Sequence, residues 1–180
     1  MAGHPAILPR VIDVAVAAVA VLAGVVAWSF TEYVIHRWFM HAELGPAIAS
    51  RGHLEHHRHP TRRPLASPMS LMMTLIVGLG FLCPVGAWLA TVIGAPWYTG
   101  ALVGLSGIAT YLVYERVHFR SHFRPATTRY ARWQQRRHLA HHASAGTTNF
   151  GVTSPVWDWA FGTYEPVPSA TAFPARLTAF

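Results

Sequence analysis

The stretch PLASPMSLMMTLIVGLGFLCPVGAWLATVIGAPWYTGALVGLSGIATYLVY, Pro64 to Tyr114, contains no Asp, Glu, Lys or Arg. A helix crossing a bilayer needs only ~20 apolar residues, so this run is long enough to cross twice. Gly94-Ala95-Pro96 predicts the turn between the crossings, because glycine and proline terminate helices and Trp97 and Tyr98 suit the membrane interface. The two helices are expected roughly from Met69 to Ile93 and from Trp97 to His118. Working back toward the N-terminus, Val14 to Phe30 is also uncharged and supplies a first span that continues past Glu32 toward His36 and His41. A cleaved signal peptide fits this segment less well. Arg10 alone forms its basic region, and the apolar run exceeds the usual ~7–15 residues of a signal core. A chain of 180 residues that is 52% apolar and 12% charged belongs to the membrane class as one domain. The expected fold is therefore all-α: an integral membrane protein of about three spans with a cytoplasmic histidine-rich helical cap. A single domain covers residues 1–180, with 165–180 as a peripheral C-terminal tail.

Four histidine clusters flank these apolar runs: His36 and His41 in HRWFMH; His53, His56 and His57 in HLEHH; His118 and His122 in HFRSH; His138, His141 and His142 in HLAHH. One span before the first cluster and a hairpin between the second and third put all ten on one face of the membrane. Imidazole is the commonest metal-donating side chain, so the grouping predicts a multi-histidine metal site at a membrane surface. Residues three and four apart share a helix face, so each HxxHH is expected to form a tripod and His118 with His122 a one-turn pair. His36 and His41 are five apart. A regular helix would turn them away from each other by more than a right angle, so they serve different metals or the helix loosens there. Ten imidazoles exceed the four to six ligands of one ion and suit two. Carboxylates are sparse nearby. Glu55 lies between ligand positions and should face away, while Glu115 can accept a proton from the far nitrogen of a ligand and fix its tautomer. His4 and His59 fit no cluster.

All 14 basic residues are arginine, and only Arg10 precedes the first span, so the positive-inside tendency makes the histidine face cytoplasmic. The formal charge of +7 is thereby explained as membrane topology, and no nucleic-acid recognition module is present. The single Cys83 excludes an intrachain disulfide and a thiolate metal site.

HRWFMH, HLEHHRHP, YERVHFRSH and HLAHH, followed by NFGVTSPVWDWAFGT at Asn149 to Thr163, form an ordered set that resembles the fatty acid hydroxylase superfamily over roughly Glu32 to Tyr164. That superfamily includes fatty acid 2-hydroxylases, sterol desaturases and carotenoid hydroxylases. The resemblance implies a membrane non-haem di-iron oxygenase that functionalises an unactivated C–H bond of a lipid. It gives metal-ligand roles to His36, His41, His53, His56, His57, His118, His122, His138, His141 and His142. Two iron ions and molecular oxygen are the implied cofactor and cosubstrate, and zinc competes for such ligands in recombinant protein. Asn149 and Asp158 are candidates to orient ligands from outside. HHRHP and the closing segment are most similar to the fatty acid 2-hydroxylase branch, with carotenoid hydroxylation or sterol and lipid desaturation as alternatives. Some members carry a fused haem-binding cytochrome domain. Here ten residues precede the first span and no glycine-rich dinucleotide fingerprint is present, so electrons are expected from a separate ferredoxin, cytochrome or reductase docked on the arginine-rich face. Compactness and the all-arginine basic complement point to a bacterial cytoplasmic membrane.

Two other function classes compete. A zinc-dependent membrane hydrolase would also use surface histidines, yet it needs fewer ligands and a carboxylate base. A metal transporter would place polar groups inside its spans, and Pro64 to Tyr114 offers little path.

Overall fold

The computed structural model describes residues 7–62 and 68–180, and every regular element among them is helical. His4 and Pro64 fall outside the described residues. Helix α1, Ile7–Val34, opens into a π-helical segment at Ile35–His41. Helix α2 (Ala47–Arg58) follows a break at Gly45-Pro46. Helix α3 (Pro68–Leu75), a second π segment at Ile76–Leu82 and helix α4 (Cys83–Val92) run on without interruption. Pro84 has no N–H to donate to the preceding turn and its ring crowds the carbonyl four residues back, so the widened turn just before it has a local cause. The chain reverses at Gly94, whose φ of +70° is open to glycine without strain. Helix α5 (Thr99–Phe123), helix α6 (Arg129–Ala143) and the short helix α7 (Val156–Ala160) complete the elements, with a 3-10 turn at Ala175–Leu177.

Two helical stretches are long and apolar enough to cross a membrane, Asp13–His41 and Ser70–Val92. The 29 residues of the first extend about 43 Å, longer than the about 30 Å of hydrocarbon that a span must cross. The third expected span, α5, is not among them. It begins apolar, but Gly100, Gly104, Ser106 and Gly107 dilute it and Glu115 and Arg116 interrupt its second half.

The chain divides into two compact units, Met1–Trp28 with Met73–Thr110, and Ser29–Met72 with Tyr111–Phe180. The first is packed through small residues. A Cβ on Gly104 would strike Cys83 Sγ, and one on Gly24 would strike Ser106 Oγ and the Val103 carbonyl. Such contacts let helix backbones approach closely where no water drives them together. Its outward side chains include exposed Val14, Leu22, Leu79, Phe81, Trp88 and Val92. The second unit has a polar interior. Ser50 Oγ donates to the Phe39 carbonyl (2.8 Å), tying α2 to the π segment, and Thr128 caps α6 by accepting from Ala131 N at 3.1 Å. The segment expected as a peripheral tail reaches inside here. Leu177 is fully buried, and Ala179 N donates to the His122 carbonyl at 2.7 Å.

Candidate metal centre

Ten histidines converge in the second unit as two groups of five. His36, His41, His53, His57 and His141 form group A; His56, His118, His122, His138 and His142 form group B. Within each group one ring nitrogen from every residue lies within 4.8 Å of the others. Each group takes a pair from one long helix, a pair from one HxxHH helix and a single residue from the other. Group A uses the π-segment pair with His53 and His57 of α2 and His141 of α6; group B uses the α5 pair with His138 and His142 of α6 and His56 of α2.

The expected tripods are thus divided. Residues i and i+4 differ by only about 40° around a helix, so His53 with His57 and His138 with His142 stay together. The neighbour one position earlier points about 100° away and joins the other group. Between the groups, the His57 and His142 rings stack with centroids 4.0 Å apart. The i, i+5 pair is resolved differently. A π segment hydrogen-bonds from i to i+5, and it holds the His36 and His41 rings 5.1 Å apart in one group.

Backbone carbonyls hold several rings from their far side. His36 Nδ1 donates to Phe150 O (2.5 Å), His141 Nδ1 to Thr148 O (2.8 Å) and His122 Nδ1 to Leu177 O (2.7 Å). Each such bond leaves Nε2 of that ring as a free donor pair facing inward. The two group A carbonyls flank Asn149, which adopts φ +55° and clasps Glu165 through both its amide oxygen and nitrogen. Asp158, fully buried, accepts from Phe150 N (2.8 Å), Gly151 N (2.9 Å) and Thr163 Oγ1 (2.8 Å), and pairs with Arg137 at 3.2 Å. Asn149 and Asp158 thus hold the loop whose carbonyls receive His36 and His141, and neither belongs to a histidine group. Glu115 is half-buried on α5, one turn before His118. Glu55 pairs with Arg58, His59 and Arg62, so neither it nor His59 belongs to either group.

Burial strips these imidazoles of charge. His53, His138, His141 and His142 are pushed well below the ordinary histidine range, by desolvation first and by neighbouring imidazoles second. His56 is pushed down to about 3 and His57 to about 2 for the same leading reason. Neutral imidazole is the metal-binding form. The Nε2 atoms of His36 and His53 stand 3.1 Å apart, His41 and His53 2.9 Å, His41 and His141 3.1 Å, His56 and His118 2.8 Å, and His122 and His138 2.9 Å. With metal–nitrogen bonds of about 2.1 Å, ligands at right angles stand about 3.0 Å apart and tetrahedral ones about 3.4 Å. Nε2 of His57 and of His142 are buried without any hydrogen-bond partner, a cost that a bound cation removes. The donor set fits two metal ions.

Several supporting residues escape a motif search. Glu32 accepts from Val152 N (2.7 Å), Thr153 N (3.0 Å) and Thr153 Oγ1 (2.6 Å). Arg137 donates to Gly151 O at 2.7 Å, and Gln134 donates to Thr153 O at 3.0 Å. Helical phase carries the signal for the last two: Arg137 lies four before His141, and Gln134 four before His138, on the buried face of α6. Gly146 is needed because a Cβ there would fall on the His41 ring.

The sequence of this chain matches the fatty acid hydroxylase family model over residues 21–163. It is 29% identical over 161 residues to a dihydroceramide fatty acyl 2-hydroxylase of Arabidopsis thaliana, covering 87% of this chain and 62% of that protein. It is 27% identical over 154 residues to the fatty acid 2-hydroxylase of Homo sapiens, covering 81% and 39%. A ceramide very long chain fatty acid hydroxylase of Schizosaccharomyces pombe is 31% identical over 150 residues, covering 81% and 42%. The chain thus spans between two-fifths and three-fifths of the length of these relatives. Among solved structures, full-length scs7p, of which only the hydroxylase domain is visible, superposes with a TM-score of 0.61 at 28% identity, covering 88% of this chain and 59% of that one. With most of its length matched, and with all four histidine clusters inside the match, the chain belongs to the fatty acid hydroxylase family.

Proposed function

We propose that this protein is an integral membrane di-iron oxygenase that hydroxylates a long fatty acyl chain. The observation that carries the reading is the division of ten neutral imidazoles into two groups of five. Five donors exceed the four of a structural zinc site and leave one position of a six-coordinate ion for a reactant. Bound in the two groups, iron would supply the reduction of oxygen and the oxidation of an unactivated C–H bond. The chain's own part is positional. The carbonyls of Thr148, Phe150 and Leu177 aim the His141, His36 and His122 rings, and the Phe150 ring packs against His36 and His141 at one side of group A. Glu115 fits a tautomer-fixing role beside His118.

The acyl substrate follows the named relatives, which act on fatty acyl groups of ceramide-type lipids or on fatty acids. Two reducing equivalents per turnover would come from a separate ferredoxin, cytochrome or reductase. The third span on α5 and a cytoplasmic histidine cap complete the topology; arginine placement supports that orientation. The all-arginine basic complement supports a bacterial cytoplasmic membrane as its setting.

The test is a lipid profile of cells expressing the protein under isotopically heavy oxygen, with His142→Ala as control. Hydroxylated acyl chains carrying the heavy atom only with the unaltered protein are expected. New double bonds without label would make it a desaturase, and label-free hydrolysis products with zinc in the purified protein would make it a hydrolase.

A further inference from the structure

Arg116 and Arg120 lie one turn apart on α5 and Arg124 follows directly after its last residue, with Val113 nearer the apolar half of the helix and Val117 between the first two arginines. Residues four apart stack along one side of a helix, so Arg116 and Arg120 align, and Arg124, whose N–H still donates to the Arg120 carbonyl at 3.2 Å, continues the stripe away from the apolar half of α5. The stripe lines a cavity of about 200 Å³, closed on its other side by Ala131, Gln134 and Gln135 of α6 and its approach. None of the three arginines forms an ion pair among the described residues, whereas Arg58 and Arg62 share Glu55 and Arg137 has Asp158.

The ordinary reason for cations here is the negative end of the helix dipole. That end amounts to only about half a unit charge, so three arginines leave a large positive excess. The polar side chains opposite do not offset it. Gln135 Nε2 donates to the carbonyls of Arg120 (3.3 Å), Ser121 (3.2 Å) and Arg124 (2.9 Å), and Gln134 Nε2 to that of Thr153. Both amides are spent on backbone, which fixes the groove walls and leaves the guanidinium groups available. Successive arginines are one turn, about 6 Å, apart, comparable to the depth of one headgroup layer of a bilayer.

We propose that this groove binds the phosphate headgroup of an anionic phospholipid, with Val113 and Val117 receiving the start of its acyl chains. Guanidinium forks match phosphate oxygens bidentately, and the apolar track below them is what distinguishes a lipid from a free anion. The inference rests on membrane placement of α5 and not on the hydroxylase reading, and its test reads binding without turnover.

The protein in neutral detergent would be titrated with short-chain phosphatidylglycerol and short-chain phosphatidylcholine, with bound lipid counted by native mass spectrometry. Phosphatidylglycerol should be preferred, and each of Arg116→Gln and Arg124→Gln, at exposed positions, should weaken it about fivefold. Arg58→Gln/Arg62→Gln, on another surface, should leave the preference intact. Equal loss in that control would reduce the effect to general charge and overturn the site. Competition by inorganic phosphate at matched concentration would overturn the lipid assignment, and equal binding of the two lipids would overturn the proposal outright.

Discussion

The two histidine groups have the same number of ligands and nearly reciprocal sources, yet they are held differently. In group A two rings are aimed by carbonyls on either side of Asn149, and that loop is itself fastened by Glu32, Arg137 and Asp158. In group B the carbonyl anchor is Leu177, on His122, while Nδ1 of His138 and of His142 has no hydrogen-bond partner. Similar ligand shells can thus be reached through a stiff, multiply bonded support or a sparse one. The two halves should respond unequally to changes outside the ligands.

The largest expected effect removes a ligand. His141→Ala and His142→Ala should each abolish turnover while leaving membrane insertion intact, and each should lower bound metal from two ions toward one. Metal analysis of the purified variants checks this; wild-type turnover in either would remove that residue from the centre. Support comes next. Asp158→Ala leaves Arg137 buried without its partner and should cost about 3–5 kcal/mol. Leu177→Ala keeps the carbonyl on His122 but opens a cavity, costing about 2–5 kcal/mol. Thermal unfolding gives the totals, and partial chelation shows which ion leaves first: a group A ion in Asp158→Ala, a group B ion in Leu177→Ala. The same ion leaving first in both would erase the contrast between the groups.

Acid should act on the metal-stripped protein. His56 and His57 take up protons far less readily when folded than the ordinary value near 6.5. Below that value the unfolded chain binds protons that the folded chain does not. Stability should therefore fall as pH drops, by about 1.4 kcal/mol per pH unit for each of the two. Unfolding curves at pH 7.5 and 5.5 after chelation would reveal this, and a flat response would mean that these rings are not buried neutral. The smallest effect separates backbone from side chain at Asn149. Asn149→Gly keeps the left-handed φ and loses the two bonds to Glu165, while Asn149→Ala adds a strain of about 1–2 kcal/mol. The difference between their melting temperatures measures that strain less the greater unfolded-chain entropy of glycine.

Much of this was legible in the residues. Long uncharged runs marked the apolar helices, and repeated imidazoles at helical spacing marked the centre. What the spacing left open was allegiance. His56 and His57 are adjacent in sequence yet serve different groups, because a helix turns about 100° per residue and the two groups lie in different directions from α2. The five-residue gap from His36 to His41 admitted two answers, and only the π segment decides between them. Leu177 carried no signal, since its contribution to His122 is a carbonyl and any residue could supply one. Glu32 was readable in part: a carboxylate closing an apolar run needs buried partners, but its own sequence does not say that Val152 and Thr153 provide them.

The way α6 serves both groups also orders events in time. A chain is made from its N-terminus at about 5–20 residues per second, and His36, His41, His53, His56 and His57 exist well before His138 does. Neither group can close until α6 has been synthesised, and the carbonyls of Thr148, Phe150 and Leu177 that steady the rings follow later still. A nascent chain therefore exposes incomplete sets of imidazoles to whatever cation is at hand. Full affinity for a cation would come only once the α6 histidines and their carbonyl supports have joined them, which would make metal loading a final step of biogenesis.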